Sequence, residues 1–261
     1  GVWEGIRLHK NVLVHLNDHL IRLYNGAKSI AMTIPISKEK MKSEIMKTIK
    51  INDMETDEHI RLIVSRCIKK KPYQNPNVTI SPPTIVIIPE YKIASEVVKR
   101  DGITIGTVNT IRDYQVQDPR INSLSKHNCI AACIEANKLG VDEGLMLDPK
   151  GFVSTCNSTN FFTVRNNEVW TSTGQYCLNG VTRKSVIRLC KQHKISVFEK
   201  KFTLEEVYKS EEVFVTGTFA GIIPVISVDD IVIGKGKRGI LTKNLQRWYN
   251  SELESIVMQN G

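Results

Sequence analysis

The chain has 261 residues, is 41% hydrophobic and 24% charged, and carries a formal net charge of +9. That length supports one large domain or two modest ones, and no apolar run approaches the roughly 18 residues that span a bilayer, so no membrane-spanning helix is expected. The six cysteines form no CxxC pair and no His cluster at metal spacing, and the bases are dense only at Lys69–Lys71 and around Lys235–Arg238, so neither a metal site nor a nucleic-acid face is expected.

In chain order, Gly1 to Leu8 and Val12 to Leu16 read as strands joined by a turn at His9-Lys10-Asn11. Asn17 or Asp18 can cap a helix through about Ala31, with His19, Arg22, Leu23 and Ala27 at helical spacings. Ser37 opens a second helix over Met41 to Asn52, with Ile45, Met46 and Ile49 as its apolar stripe. His59 to Arg66 and Thr84 to Pro89 are strands, and the polar, proline-rich stretch Lys69 to Pro83 between them is a loop. Ile103 to Thr110 is a further strand. Asp113 to Asn122 has no period, which places a linker at 115–125 between a smaller N-terminal α/β domain (1–114) and a larger β-rich C-terminal domain (126–261).

Cys129 to Leu139 is a helix closed by Gly140. Strands follow at Gly144–Asp148 and Gly151–Thr155, joined by the turn Asp148-Pro149-Lys150-Gly151, and at Phe161–Val164 and Val169–Thr171, joined across Asn166-Asn167. A helix is expected after Thr182, then a strand at Ile195–Glu199, a short helix opened by Thr203, strands at Val213–Thr218 and Ile223–Val228, and a terminal helix from Thr242 to about Met258. The class is α+β, with hairpins rather than βαβ repeats in the second half. No secretory leader, internal repeat or low-complexity tract is visible, and the thiols read as reduced groups of a cytoplasmic protein.

The stretch Leu178-Asn-Gly-Val-Thr-Arg-Lys-Ser-Val is the most informative. Gly180 relaxes the backbone, Thr182 is a good N-cap, and Val186, Leu189 and Cys190 recur at helical spacing. It reads either as an ordinary capped helix or as an anion site, because a helix N-terminus offers unpaired N–H groups and partial positive charge.

Six pieces in order resemble the fold-type IV pyridoxal-phosphate enzymes, a family of branched-chain and D-amino acid aminotransferases and aminodeoxychorismate lyase. They are Gly1-Val-Trp-Glu-Gly-Ile-Arg, His19-Leu-Ile-Arg-Leu-Tyr with Ala27, His59-Ile-Arg-Leu-Ile-Val-Ser-Arg, Asp148-Pro-Lys-Gly-Phe-Val with Asn160-Phe-Phe, Leu178-Asn-Gly-Val-Thr-Arg, and Phe214-Val-Thr-Gly-Thr with Pro224-Val. The resemblance implies the two-domain fold of the D-amino acid aminotransferase and branched-chain aminotransferase type. It also implies pyridoxal phosphate as cofactor, an α-amino acid and a 2-oxo acid as small-molecule substrates, and a homodimer. By the same resemblance Arg22, Val181, Thr182 and Thr218 hold the cofactor's phosphate, and Arg61 faces the substrate carboxylate. Phe219 and Ala220 line the substrate side, with Trp3 as a further candidate wall.

Two positions depart from the family pattern. Thr155 stands where the family has the glutamate that holds the pyridine nitrogen, and a neutral hydroxyl stabilises a ring proton less well than a carboxylate. The family lysine that forms the Schiff base falls at Asn122, although gapless counting lands between Pro119 and Asn122 and includes Arg120. An amide cannot form an imine, and a guanidinium is too basic to serve as the nucleophile. If a helix begins near Ser123, Lys126 lies one turn beyond Asn122 on the same face, which makes Lys126 the candidate catalytic lysine. The stretch of a few tens of residues that family members usually carry ahead of the first strand is absent from this sequence. The expectation is a class IV aminotransferase. The alternatives are a relative that binds pyridoxal phosphate or a protein partner without transamination, and a lyase of the aminodeoxychorismate type.

Overall fold

The computed structural model describes residues 1–56, 58–115 and 117–260, and of residue 260 the backbone only. Residue 116, within the expected linker, lies outside the described residues. The chain divides into two compact units: Gly1–Ile93 with Ile121–Ser125 and Leu253–Gly261, and Ala94–Arg120 with Lys126–Glu252.

The first unit holds β1 (Val2–His9), β2 (Val12–Leu13), α1 (Leu16–Ser29), α2 (Lys38–Ile51), β3 (Glu58–Ser65) and β4 (Thr84–Tyr91). Its antiparallel sheet runs β2-β1-β3-β4, with Val2 opposite Val64 and Gly5 opposite Arg61. Successive strand side chains face opposite sides, so Val2, Glu4, Ile6 and Leu8 share one face with Ile60, Leu62 and Val64. That face is apolar and buried, and Leu20 and Leu23 of α1 with Met41 and Ile45 of α2 complete its core. Trp3, Arg7, His59 and Arg61 stand on the other face.

The start of α1 differs from the sequence expectation. His15, with φ 52°, is the residue before the helix, it makes no side-chain cap bond, and Leu16 is already helical. The left-handed turn at His15 leaves β2 only two residues and puts Asp18 in the first turn, where its charge suits the helix dipole. Ser37 caps α2 as expected, accepting from the Lys40 N–H at 3.2 Å.

The second unit contains α3 (Glu96–Asp101), β5 (Ile103–Thr107), α4 (His127–Leu139), β6 (Glu143–Leu147), β7 (Val153–Cys156), β8 (Asn160–Arg165), β9 (Glu168–Thr171), α5 (Val181–Gln192), β10 (Val197–Glu199), α6 (Leu204–Tyr208), β11 (Glu212–Gly217), β12 (Gly221–Val228), β13 (Ile231–Val232) and the first part of α7 (Ile240–Asn260). Its sheet runs β10-β9-β8-β11-β12-β5-β6-β7, with β13 on β12. The hairpins β6–β7, β8–β9 and β11–β12 match the sequence reading. β5 and β6 are parallel with α4 between them in sequence, and β9 and β10 are parallel with α5 between them, so two βαβ crossovers stand among the hairpins. α3 was not expected, because six residues show no apolar period. Gly140 closes α4 with φ 72°, and Thr203 and Glu206 form a reciprocal capping box on α6, both as the sequence indicates. Phe161, Phe162, Phe202 and Phe214 are fully buried, and the Phe162 and Phe214 rings stack at 4.9 Å. Each such ring contributes about 1.5–3 kcal/mol by burial, so this sheet is a rigid platform for the residues at its ends.

Candidate functional site

The candidate residues of the second unit collect where α5, β8 and β11 begin or end. α5 starts at Val181, and its N-cap is Gly180, with φ −64° and ψ 146° and no side-chain cap bond. This corrects the expectation for Thr182, which is buried inside the first turn rather than capping it. Packing bears on this start: a Cβ on residue 180 would run into the Asn160 carboxamide oxygen, so the position next to Asn160 takes glycine, and the helix begins two residues earlier than expected. Asn160 opens β8 and donates from Nδ2 to the Leu178 carbonyl at 2.8 Å, tying the loop before α5 to the sheet.

Asn160 lies opposite Thr216 in the β8–β11 ladder. Thr216 is 2% exposed, and its Oγ1 has no hydrogen-bond partner among the described residues. A buried hydroxyl left without a partner costs about 1–3 kcal/mol, so such a group stands out as a ligand contact. Beyond Gly217 the chain turns through Thr218, Phe219 and Ala220, all half-buried, into β12. Val181, Thr182 and Thr218 are thus brought to one corner, with Asn160 and Thr216 between them. The corner offers the first N–H groups of α5, the positive end of its dipole and hydroxyls, which is a donor set for a phosphate or carboxylate.

Thr155 joins this corner through the β7–β8 turn. It is buried, and its Oγ1 donates to the Thr159 carbonyl at 2.7 Å, one residue before Asn160. Thr155 and Cys156 face opposite sides of β7. On the Cys156 side, burial pushes the Glu143 carboxyl above its ordinary range, and burial with the Glu143 charge pushes the Cys156 thiol well up.

Lys126 does not stand one helical turn from Asn122. α4 begins at His127, and residues 121–126 are not helical, so the step from Asn122 to Lys126 runs through irregular backbone. Lys126 is the N-cap residue of α4, half-buried, and its carbonyl accepts from the Ile130 N–H at 2.9 Å.

In the first unit, Glu4 is fully buried on the apolar face of β1. Its carboxylate accepts from Arg22 Nε at 2.8 Å and Nη2 at 2.6 Å, and pairs with His19 Nδ1 at 2.7 Å. Burial pushes the Glu4 carboxyl upward, but the Arg22 and His19 contacts outweigh it and hold the group below its usual value. Arg22, 18% exposed, therefore enters any anion site with two of its N–H groups already on a carboxylate.

On the opposite face of the same sheet, the Arg61 guanidinium lies 4.7 Å from the Trp3 ring centroid, a cation–π arrangement that fixes the arginine's direction. Asn122 is buried in the first unit: its Nδ2 donates to the Trp3 carbonyl at 2.7 Å, and its own carbonyl accepts from the Trp3 N–H at 3.0 Å. Arg61, Trp3 and Asn122 thus form one group, and Phe219 and Ala220 belong to the corner of the second unit.

The sequence reading did not single out Glu4, Thr216 or Asn160 as site residues. Glu4 carries a signal, a lone carboxylate among inward-facing apolar positions of a strand. Thr216 carries none, because only the ladder shows that its hydroxyl lacks a partner.

Residues 1–228 match the family described as Amino-transferase class IV. The chain is 38% identical over 258 residues to a putative branched-chain-amino-acid aminotransferase of Methanocaldococcus jannaschii, covering 95% of this chain and 85% of that protein. It is 36% identical to branched-chain-amino-acid aminotransferase-like protein 2 of Arabidopsis thaliana, covering 95% of this chain but spanning only 44% of that longer protein. A branched-chain amino acid aminotransferase of T.th., solved with pyridoxamine 5'-phosphate, superposes with a TM-score of 0.90 at 29% identity, over 98% of this chain and 84% of that one.

Proposed function

The chain belongs to the class IV amino-transferases, and from that membership we propose that it is a pyridoxal-phosphate-dependent aminotransferase that moves an amino group between an α-amino acid and a 2-oxo acid. The observation that carries this reading is the corner of the second unit, where a helix N-terminus without a side-chain cap meets a buried hydroxyl lacking a partner. A phosphate fits that donor set: the Val181 and Thr182 N–H groups and the hydroxyls of Thr216 and Thr218 supply hydrogen bonds to its oxygens. The ring end fits through a neutral group, Thr155, in place of a carboxylate.

When bound, the cofactor supplies an electron-withdrawing ring that stabilises negative charge on the substrate's α-carbon. In the chain's own part of the reaction, Arg61, aimed by Trp3, binds the substrate carboxylate. For the reactive amine this reading offers Lys126, by its nearness in sequence to Asn122 and not by a shared helical face, with Nζ as the base that takes the substrate's α-proton. The assembly is a homodimer, which light scattering checks.

A second reading is favoured by Asn122 and Thr155. The amide at the family's lysine position is spent on the Trp3 backbone, and the hydroxyl at the family's glutamate position carries no charge. A relative built this way keeps the phosphate corner and binds the cofactor without transamination. The absorption spectrum of the protein with pyridoxal phosphate, for wild type and Lys126→Ala, separates the two. A visible band that borohydride bleaches in wild type and that the variant lacks supports the first reading. A band in both assigns the amine to another lysine. No visible band in either, with binding retained in equilibrium dialysis, selects the second.

A further inference from the structure

The turn that carries Thr155 is anchored from one side by a single carboxylate. Glu143, at the start of β6, accepts from Ser158 Oγ at 2.6 Å on Oε1 and from Thr159 Oγ1 at 2.6 Å on Oε2. Beside it, Gly144 and Asn157 exchange two more bonds, Gly144 N–H to Asn157 Oδ1 at 2.8 Å and Asn157 N–H to the Gly144 carbonyl at 3.0 Å. Residues 157–159 are therefore stitched to the first two residues of β6. The Thr159 carbonyl, fixed in this way, accepts twice: from the Cys156 N–H at 3.0 Å and from Thr155 Oγ1 at 2.7 Å.

This has a chemical consequence for Thr155. Its hydroxyl proton is committed to the Thr159 carbonyl, so what remains is a pair of acceptor lone pairs. Glu143 lies on the Cys156 side of the hairpin, with Leu145 opposite Cys156 and Met146 opposite Thr155, so it cannot itself replace the missing charge on the Thr155 side. It reaches Thr155 only through Thr159.

We infer that Glu143 is a positioning residue that, through Thr159, holds the Thr155 hydroxyl as a neutral acceptor for the ring N–H of a pyridoxal-phosphate-type cofactor. The inference rests on the cofactor reading proposed above and adds to it which residue sets the ring end. A single neutral hydrogen bond contributes about 0.5–1.5 kcal/mol, so the ring-end effects are several-fold in affinity while the phosphate corner is untouched.

Pyridoxamine 5'-phosphate is the probe, because it needs no lysine to bind, and inorganic phosphate is the control for the corner. Both dissociation constants, and the near-ultraviolet band of the bound probe, are measured for wild type, Thr155→Val, Thr155→Ser, Glu143→Gln and Thr159→Val. Thr155→Val is expected to weaken the probe about fivefold and displace its band, and Thr155→Ser to stay within about twofold of wild type. Glu143→Gln and Thr159→Val, which cut the same link from its two sides, are each expected to weaken the probe about threefold and leave phosphate binding unchanged. Probe binding unchanged in Glu143→Gln and in Thr159→Val overturns the inference. So does an equal loss of probe and phosphate, which marks a purely structural role. Absence of probe binding by wild type overturns the cofactor reading and this inference with it, a result distinct from wild-type binding that the variants fail to change.

Discussion

The two units present an anion with different chemistry. The first unit buries a carboxylate and gives it two partners: Glu4 takes Arg22 on both oxygens and His19 on one of them. The second gathers neutral groups, the N–H donors of α5, the Asn160 amide and the hydroxyls of Thr155, Thr216 and Thr218, around an uncapped helix end. The first arrangement is complete without a ligand and resists change, because removing Glu4 or Arg22 leaves the other's charge unpaired. The second leaves Thr216 without a partner, so its energetics are completed from outside. A charged cluster therefore marks where the first unit is held, and an unfinished neutral corner marks the place proposed for the phosphate.

The largest expected effect breaks the charged side. Glu4→Ala leaves Arg22 and His19 around an empty position and should destabilise the protein by about 3–5 kcal/mol in urea unfolding. A loss under about 1 kcal/mol would show that the cluster does not hold the first unit. Next is Gly180→Ala, where the new Cβ meets the Asn160 carboxamide oxygen. A cost of about 1–3 kcal/mol is expected, together with weaker inorganic phosphate binding, since the start of α5 must shift. Unchanged phosphate affinity in that variant would remove the corner from the site.

The pH dependence distinguishes a carboxylate in each unit. Glu4 is held below its ordinary 4.5, so the native state binds fewer protons there than the unfolded chain. Its contribution is full above 4.5 and is lost as pH falls through the lowered value, and Glu4→Gln should flatten this acid-side slope. Glu143 is raised above 4.5, so the native state keeps its proton longer, and stability falls as pH rises from 4.5 through the raised value. Glu143→Gln should remove that decline. Each group contributes a slope of at most about 1.4 kcal/mol per pH unit, readable from urea midpoints between about pH 3 and 8.

Thr216→Val sharpens the neutral side. Removing a buried hydroxyl that has no partner should leave stability unchanged or raise it by about 1 kcal/mol, while phosphate affinity falls about fivefold. A clear loss of stability with phosphate binding intact would mean that the hydroxyl serves the fold. The smallest expected effect on stability is Arg61→Ala. The stack on Trp3 is worth about 0.5–1 kcal/mol, and the variant's main consequence should be a higher KM for the amino acid.

The order of most elements, the α+β class and the family were readable from the chain alone, while the short α3 and β13 were not. Period-2 and helical spacings survive in β1, β3, α2 and α5, and short signals such as Ser37, Gly140 and Thr203 act within a few residues of where they stand. Thr155 and Asn122 stood out in the sequence for the same reason, as residue types expected to be out of place in an ordered pattern. Only the tertiary structure decided the rest. Thr182 yields the cap to Gly180 because Asn160, about twenty residues earlier in the chain, occupies the space beside it. Lys126 loses its helical relation to Asn122 because residues 122–124 bridge to the start of β1, with Leu124 N–H on the Gly1 carbonyl at 2.9 Å, instead of starting α4. Thr216 is left without a partner, and Glu143 gains Ser158, Thr159 and Cys156, by ladder register across sequence-distant strands. Propensity and periodicity act along the chain within a turn or two, whereas burial and hydrogen-bond satisfaction are settled by whatever the fold brings alongside.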